Sequence, residues 1–175
     1  MSLHPLGAGR LTASYISHDP PKRKEIRALR RHARREIGEV AGRLRWEGAP
    51  SKVVATSKTF KQLARLGGAA PESIGPFVDR AVTRDDIAKW ANRLARMNRR
   101  KRGAQHGVAR SRRDQIVAGA YVALAAMRAL DVDRVEICPW AVREGVLLRR
   151  LDALRDPHEE HDKQFIADAT ALNRP

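Results

Sequence analysis

The sequence predicts a mixed α/β domain in which helices pack on a small sheet. Two short apolar runs, Val53-Val54-Ala55-Thr56 and Val135-Glu136-Ile137-Cys138, are set among long stretches whose apolar residues recur every three or four positions. The order reads strand, helix, strand, helix, helix, helix, strand, helix, the alternation of helices covering a sheet. A chain of 175 residues, 42% of them hydrophobic, is one domain with enough apolar material for a core. Three strands make a sheet with unpaired edges.

The first strand is expected over residues 3–12, where Leu3, Leu6 and Leu11 flank a bend at Gly7 and Gly9. Asp19, Pro20 and Pro21 then open a helix, with Asp19 as its cap and proline in its first turn. Ile26, Leu29, Ala33, Ile37, Val40 and Leu44 form its inward stripe. Arg27, Arg30, Arg31, Arg34 and Arg35 form its outer face, and Gly48 and Pro50 end it. The strand at 53–56 is β-branched and reads as buried. Ser57-Lys58-Thr59 turns it into a helix carrying Phe60, Leu63, Ala64 and Leu66, stopped by Gly67 and Gly68. Residues 71–77 read as loop. Thr83 caps the next helix, with Ile87, Trp90, Ala91, Leu94 and Met97 inward. Residues 98–107 read as a basic linker. Ser111 is expected to cap a helix over 112–130, apolar nearly all round from Ile116 and therefore buried between layers. A second buried strand follows at 135–138. A last helix from Pro139 to Leu151 turns Val142, Val146, Leu147 and Leu151 inward, and residues 153–175 form a polar, flexible tail.

The formal net charge is +15, which favours anionic partners such as polyphosphate, nucleotides, nucleic acid or an acidic protein. One cysteine, Cys138, allows no disulfide framework and points to a reducing, cytoplasmic compartment. It reads as an inert core thiol. No apolar run reaches membrane-spanning length, and residues 1–10 lack the layout of a secretory signal.

Two stretches carry chemistry. Ser57, Lys58 and Thr59 bring backbone N–H groups, a hydroxyl and an ammonium to a helix N-terminus, a place that favours an anion. The same residues serve equally as an ordinary strand-to-helix cap. Arg143, Glu144 and Gly145 stand near the start of the last helix. They read either as a ligand-facing polar pair or as a structural ion pair beside a glycine kept small for packing. The clusters Arg99-Arg100-Lys101-Arg102 and Arg110, Arg112, Arg113 could grip phosphates or simply be solvated. Aromatic content of 5% is thin for base stacking. His158-Glu159-Glu160-His161 has no third ligand and is not read as a metal centre. Walker loops, nucleophile elbows and paired carboxylates are lacking, and no residue is assigned a catalytic role.

The strings HPLGAGRL, KEIRALRRHARREI, RLRWEG, VVATSKTFKQLARLGGAAP, DQIVAGA and AAMRALDVDRVEICPWAVREGVLLRRLD resemble, in order, the exopolyphosphatase/guanosine pentaphosphate phosphatase (Ppx/GppA) family, above all its short actinobacterial forms. The resemblance implies an actin-like enzyme of two ribonuclease-H-like domains that cuts phosphoanhydride bonds in polyphosphate or guanosine pentaphosphate, with magnesium for the intact family. It implies two phosphate loops and a water-activating glutamate from the first domain. It places Arg10 after a strand, Ser57, Lys58 and Thr59 at a nucleotide-facing turn, and Arg143, Glu144 and Gly145 in the family's closing motif. Residues 1–152 correspond to a partial second domain, without the first domain and the opening two strands. The expectation is a truncated family member that is inactive alone, binds no metal alone, and is marginally stable or in need of a companion chain or a homodimer. The alternative is a free-standing basic module that holds polyphosphate or nucleic acid without cutting it.

Overall fold

The computed structural model of the chain describes residues 6–44, 52–140 and 142–155. The chain divides into two compact units, Met1–Pro139 and Trp140–Pro175. The first holds α1 (Ala8–Tyr15), α2 (Arg23–Leu44), β1 (Val54–Ala55), α3 (Lys58–Leu66), β2 (Ala81–Thr83), α4 (Arg84–Ala95), α5 (Arg99–Gly103), α6 (Ile116–Ala129) and β3 (Arg134–Ile137). The second holds α7 (Val142–Arg155). The class is mixed α/β, as the alternation predicts, but mostly helical.

Helix α6 is the hub. Ten of its residues are buried, from Ile116 to Met127, and α1, α2, α3 and α4 all pack on it. Leu11, Leu29, Leu63, Ile87, Leu94, Val117 and Met127 fill the core around it, each burial contributing about 1.5–3 kcal/mol for the larger aliphatic side chains. The sheet has the order β1-β3-β2. β1 runs parallel to β3, with Val54 opposite Glu136, while β2 runs antiparallel, with Val82 opposite Val135. Val135 and Ile137 are buried and Arg134 and Glu136 exposed, so one face of the sheet meets the core.

Several expectations are corrected. The described part of the 3–12 strand is helix α1. Leu11 and Tyr15 recur at a helical step, Leu11 is buried, Tyr15 stacks on His32, and the Thr12 hydroxyl donates to Ala8 O at 2.7 Å. Asp19 does not cap α2. It accepts instead from Arg99 N and from Arg102 Nη2, both at 2.7 Å. The clasp on α2 is Glu25, whose Oε1 accepts from Ser17 N and Ser17 Oγ and meets His18 Nδ1, while its Oε2 accepts from Lys22 N. On α2, Leu29, Ala33 and Ile37 point inward as predicted, but Ala41 replaces Val40, which is exposed.

Val54 is 49% exposed because β1 is an edge strand, not a buried one. β2 lies in a stretch read as leading into the Thr83 cap. That cap is present, the Thr83 hydroxyl accepting from Asp86 N. Residues 98–107 are not a linker: Asn98 caps α5 through Lys101 N, and Arg102 is buried. α6 begins at Ile116 rather than after Ser111, because residues Arg110–Arg112 form a separate 3-10 turn and Asp114 pairs with Arg99 at 3.0 Å. Cys138 lies just past β3 and is half-buried, its N–H donating to Ala55 O. In the second unit α7 runs on to Arg155, and Val146, Leu147 and Leu151 are exposed rather than inward. The predicted end of α2 at Gly48 and Pro50, the His158–His161 run and the tail beyond 155 lie outside the described residues. Among the described residues no helix is long and apolar enough to cross a membrane.

Candidate functional site

The turn out of β1 is built as its sequence suggests. Ser57 sits in extended conformation, its hydroxyl accepts from Phe60 N at 3.2 Å, and its carbonyl accepts from Lys61 N at 3.1 Å. The serine is therefore the cap of α3. Capping satisfies one first-turn donor and leaves the N–H groups of Lys58 and Thr59 without an intrahelical acceptor. Ser57 and Lys58 are exposed, and Lys58 has no ion-pair partner among the described residues. Lys61, one turn on, is engaged: its ammonium donates to Pro139 O at 2.8 Å and pairs with Glu72 at 3.3 Å.

The Thr59 side chain lies against α6. It packs toward Gly119 in the first turn of α6. A Cβ placed at Gly119 would stand 2.8 Å from Thr59 Cγ2, 3.2 Å from Thr59 Oγ1 and 3.5 Å from Ala8 Cβ. Ala8 is the first residue of α1, and Thr59 the second of α3. The absence of a side chain at Gly119 thus lets two helix N-termini rest on one point of α6. The N-terminus of α1 has Gly7 as its cap residue and no side-chain cap bond, so its first N–H groups lack an intrahelical acceptor as well. Gly9 in that turn packs on the Gln115 side chain, and Arg10, beside it, is exposed.

Two helix dipoles present about half a positive charge each at such ends, and Lys58 and Arg10 add full charges on the same two first turns. The arrangement suits a compact anion held by backbone donors. Glu72, a nearby acid, is paired with Lys61.

Arg143, Glu144 and Gly145 form the first turns of α7 in the second unit. Glu144 is half-buried, and a Cβ at Gly145 would meet no atom of the described residues within 4 Å.

Among the described residues no group of three or more histidine, cysteine, aspartate or glutamate side chains could hold a metal ion. The described residues do not fit a divalent-cation site.

Sequence reasoning named the arginine face of α2 but not what it faces. Arg23, Arg27, Arg30, Arg31 and Arg34 line a groove of about 800 Å³ whose far wall is Asn92, Ala95 and Arg96 of α4 and its following turn, with Tyr121 of α6 also lining it. The Tyr121 hydroxyl donates to Asn92 Oδ1 at 3.2 Å, and burial pushes its ionisation upward. A second basic cavity of about 830 Å³ is lined by Asp19, Arg99, Arg100, Arg110 and Arg113 among others. Helical spacing is what marks the α2 row. Arg96 and Tyr121 join it only through tertiary packing.

The sequence profile of the Ppx/GppA phosphatase family matches residues 1–154. Exopolyphosphatase 1 of Mycobacterium tuberculosis is 47% identical over 152 residues, covering 87% of this chain and 44% of that protein. Exopolyphosphatase 1 of Mycobacterium leprae is 45% identical over the same length, covering 45% of that protein. The chain thus spans somewhat less than half the length of these relatives. Among solved structures, the Ppx/GppA family member of Aquifex aeolicus superposes with a TM-score of 0.73 at 22% identity, over 89% of this chain and 49% of that one. An exopolyphosphatase from Cytophaga hutchinsonii gives 0.71 at 18% identity, over 86% and 49%.

Proposed function

Because the chain belongs to the Ppx/GppA phosphatase family, we propose that it holds a phosphate anion of a polyphosphate or guanosine nucleotide at the shared N-terminal end of α1 and α3, and does not cut a phosphoanhydride bond by itself. The observation that carries this reading is the meeting of two helix N-termini over Gly119. The N–H groups of Lys58 and Thr59 and those of the first turn of α1 would receive the phosphate oxygens, with Lys58 and Arg10 neutralising charge. Ser57 keeps the turn in shape. Arg143, Glu144 and Gly145, in the second unit, are kept as phosphate-facing candidates on the family resemblance alone.

Phosphoryl transfer relies on positioning and charge neutralisation, and it also needs an oriented water and, in this family, magnesium. In this reading the two helix ends serve positioning and charge neutralisation; among the described residues no group of three or more histidine, cysteine, aspartate or glutamate side chains could hold a metal ion. The reading of a free-standing polyphosphate- or nucleic-acid-binding module shares the same anion chemistry and is favoured by the arginine groove of α2.

The test is phosphate release from long-chain polyphosphate with magnesium, the purified chain run beside a full-length relative. The relative is expected to turn over and this chain to remain at background while still binding tripolyphosphate, with the binding weakened about tenfold by Lys58→Gln. Sustained magnesium-dependent release by the chain alone would overturn the proposal.

A further inference from the structure

The groove between α2 and α4 is lined by six arginines, Arg23, Arg27, Arg30, Arg31, Arg34 and Arg96. None of the six makes an ion pair with a described carboxylate. Of the three acids of α2, Glu25 clasps the Ser17–Lys22 turn, Glu36 takes Arg35, and Glu39 acts on Arg35 as well. Arg30 is the one that packs within the protein, its guanidinium 5.7 Å from the centroid of the Tyr121 ring.

Such a row works against the helix that carries it. Arg23 with Arg27, Arg27 with Arg31 and Arg30 with Arg34 are like-charged neighbours one turn apart, each pair destabilising by roughly 0.2–0.5 kcal/mol. A fold that tolerates this along one face and opens that face into a groove presents a regular ladder of forked donors. From Arg23 to Arg34 the ladder rises roughly 16 Å along the helix. A compact anion would use one or two rungs. A linear anion with a charge on every unit can use all of them, and guanidinium binds phosphate oxygens in pairs.

The groove also discriminates among polyanions. Single-stranded nucleic acid is held by exposed aromatic faces on which bases stack. The aromatic residue lining this groove, Tyr121, is only 4% exposed and its hydroxyl is tied to Asn92. What remains is charge without a stacking platform.

We propose that the α2/α4 groove is a binding track for linear inorganic polyphosphate, distinct from the phosphate-binding end of α1 and α3. The proposal rests on the reading of the chain as a polyphosphate-handling protein and adds to it a second contact region, one that selects long chains over short ones.

The experiment compares the full chain with the variant Arg27→Gln/Arg31→Gln/Arg34→Gln, which leaves the packed Arg30 in place. Long-chain polyphosphate and tripolyphosphate are titrated at several salt concentrations. The variant is expected to bind the long chain about tenfold or more weakly. Its slope of log K against log salt should fall by about 2, the loss of three phosphate-neutralising charges. Tripolyphosphate affinity and thermal stability should stay at the wild-type level, which separates loss of the track from loss of fold. Replacing the same three residues by lysine should restore the salt slope. Unchanged long-chain affinity and slope in the glutamine variant overturn the track. The α1/α3 reading is judged separately, by whether Lys58→Gln weakens tripolyphosphate binding. Binding of a single-stranded oligonucleotide of equal charge as tightly as polyphosphate also overturns the track, in favour of nucleic acid.

Discussion

Arginines do opposite work in two regions of this molecule. Around the β2 end of the sheet and at α5 they are structural. Arg80 donates from Nε to Ala70 O at 2.9 Å, from Nη1 to Val78 O at 3.0 Å, and from Nη2 to Pro71 O at 2.6 Å and Gly75 O at 2.9 Å. Arg102, 3% exposed, donates to Met97 O and Asp19 Oδ1. On the face of α2 toward α4 the arginines Arg23, Arg27, Arg31 and Arg34 have no hydrogen-bond acceptor among the described residues and line an open groove. A buried guanidinium is tolerable only where the chain supplies enough acceptors to replace water. The number of acceptors around an arginine, not the net charge of +15, therefore separates those that hold the fold from those left for a ligand.

The sharpest way to break this distinction is at Arg80. Arg80→Ala would leave the carbonyls of Ala70, Pro71, Gly75 and Val78 without their donor and unclamp the 70–80 loop from β2. The expected loss is about 3 kcal/mol in urea unfolding, and Arg80→Lys should recover little of it because an ammonium lacks the fork. A loss below about 0.5 kcal/mol would show that these bonds are replaced by water and that Arg80 belongs with the surface arginines.

Glycine substitutions sharpen the same contrast, between the crowded centre and the open face. Gly119→Ala puts a methyl 2.8 Å from Thr59 Cγ2, a β-branched side chain with little room to turn, and should destabilise by about 1–3 kcal/mol. Gly38→Ala, on exposed α2 with nothing within 4 Å, should stabilise by about 0.5–1 kcal/mol. Thermal melts of the two variants should move in opposite directions. A common direction would mean that the packing of α1 and α3 on α6 is looser than described.

The acid counterpart is Glu25. Burial pushes its carboxyl upward, but hydrogen bonds from His18, the Lys22 N–H and Ser17 outweigh that and bring it down to about 2, from 4.5. A carboxyl depressed in the folded state stabilises fully above its unfolded value. That contribution is present above pH 4.5 and is lost as pH falls toward about 2. Wild type should therefore lose stability over this window faster than Glu25→Gln, whose melt starts lower at neutral pH and stays flatter. Parallel pH profiles for the two would remove the carboxylate from the account.

How much of this was legible in the sequence depends on the range of the interaction that decides each feature. Caps at Ser57 and Thr83 depend on neighbours three residues on, and both were readable. The inward stripe of α2 through Leu29, Ala33 and Ile37 and the all-round burial of α6 follow from periodicity, and were readable too. Asp19 beside two prolines has the local chemistry of a cap, yet the α5 guanidinium and backbone far along the chain claim it first. β2 is three residues long and exists because β3 lies beside it, which no local pattern announces. At the candidate site the Ser57–Thr59 turn was visible as strand, polar residues and helix. The partner end of α1 was not, because Gly119 looks like any small residue in an apolar helix until Thr59 and Ala8 close on it.

The smallest expected effect is the one that most directly tests the division of labour among arginines. If the α2 row contributes nothing to the fold, its removal should not cost stability. Arg27→Gln, Arg31→Gln and Arg34→Gln, singly, should each change unfolding free energy by no more than about 0.5 kcal/mol. The sign carries the information. Each substitution removes a like charge one turn away, so the change at low salt should be a slight stabilisation. Because these side chains are exposed, that gain should fade once salt screens them, with a Debye length of about 3 Å at 1 M. A structural arginine behaves otherwise: Arg102 lies buried among its acceptors, and its replacement by methionine should destabilise at every salt concentration. If the α2 variants instead destabilise independently of salt, those guanidinium groups are bonded within the protein, and an anion would have to compete with the fold for them.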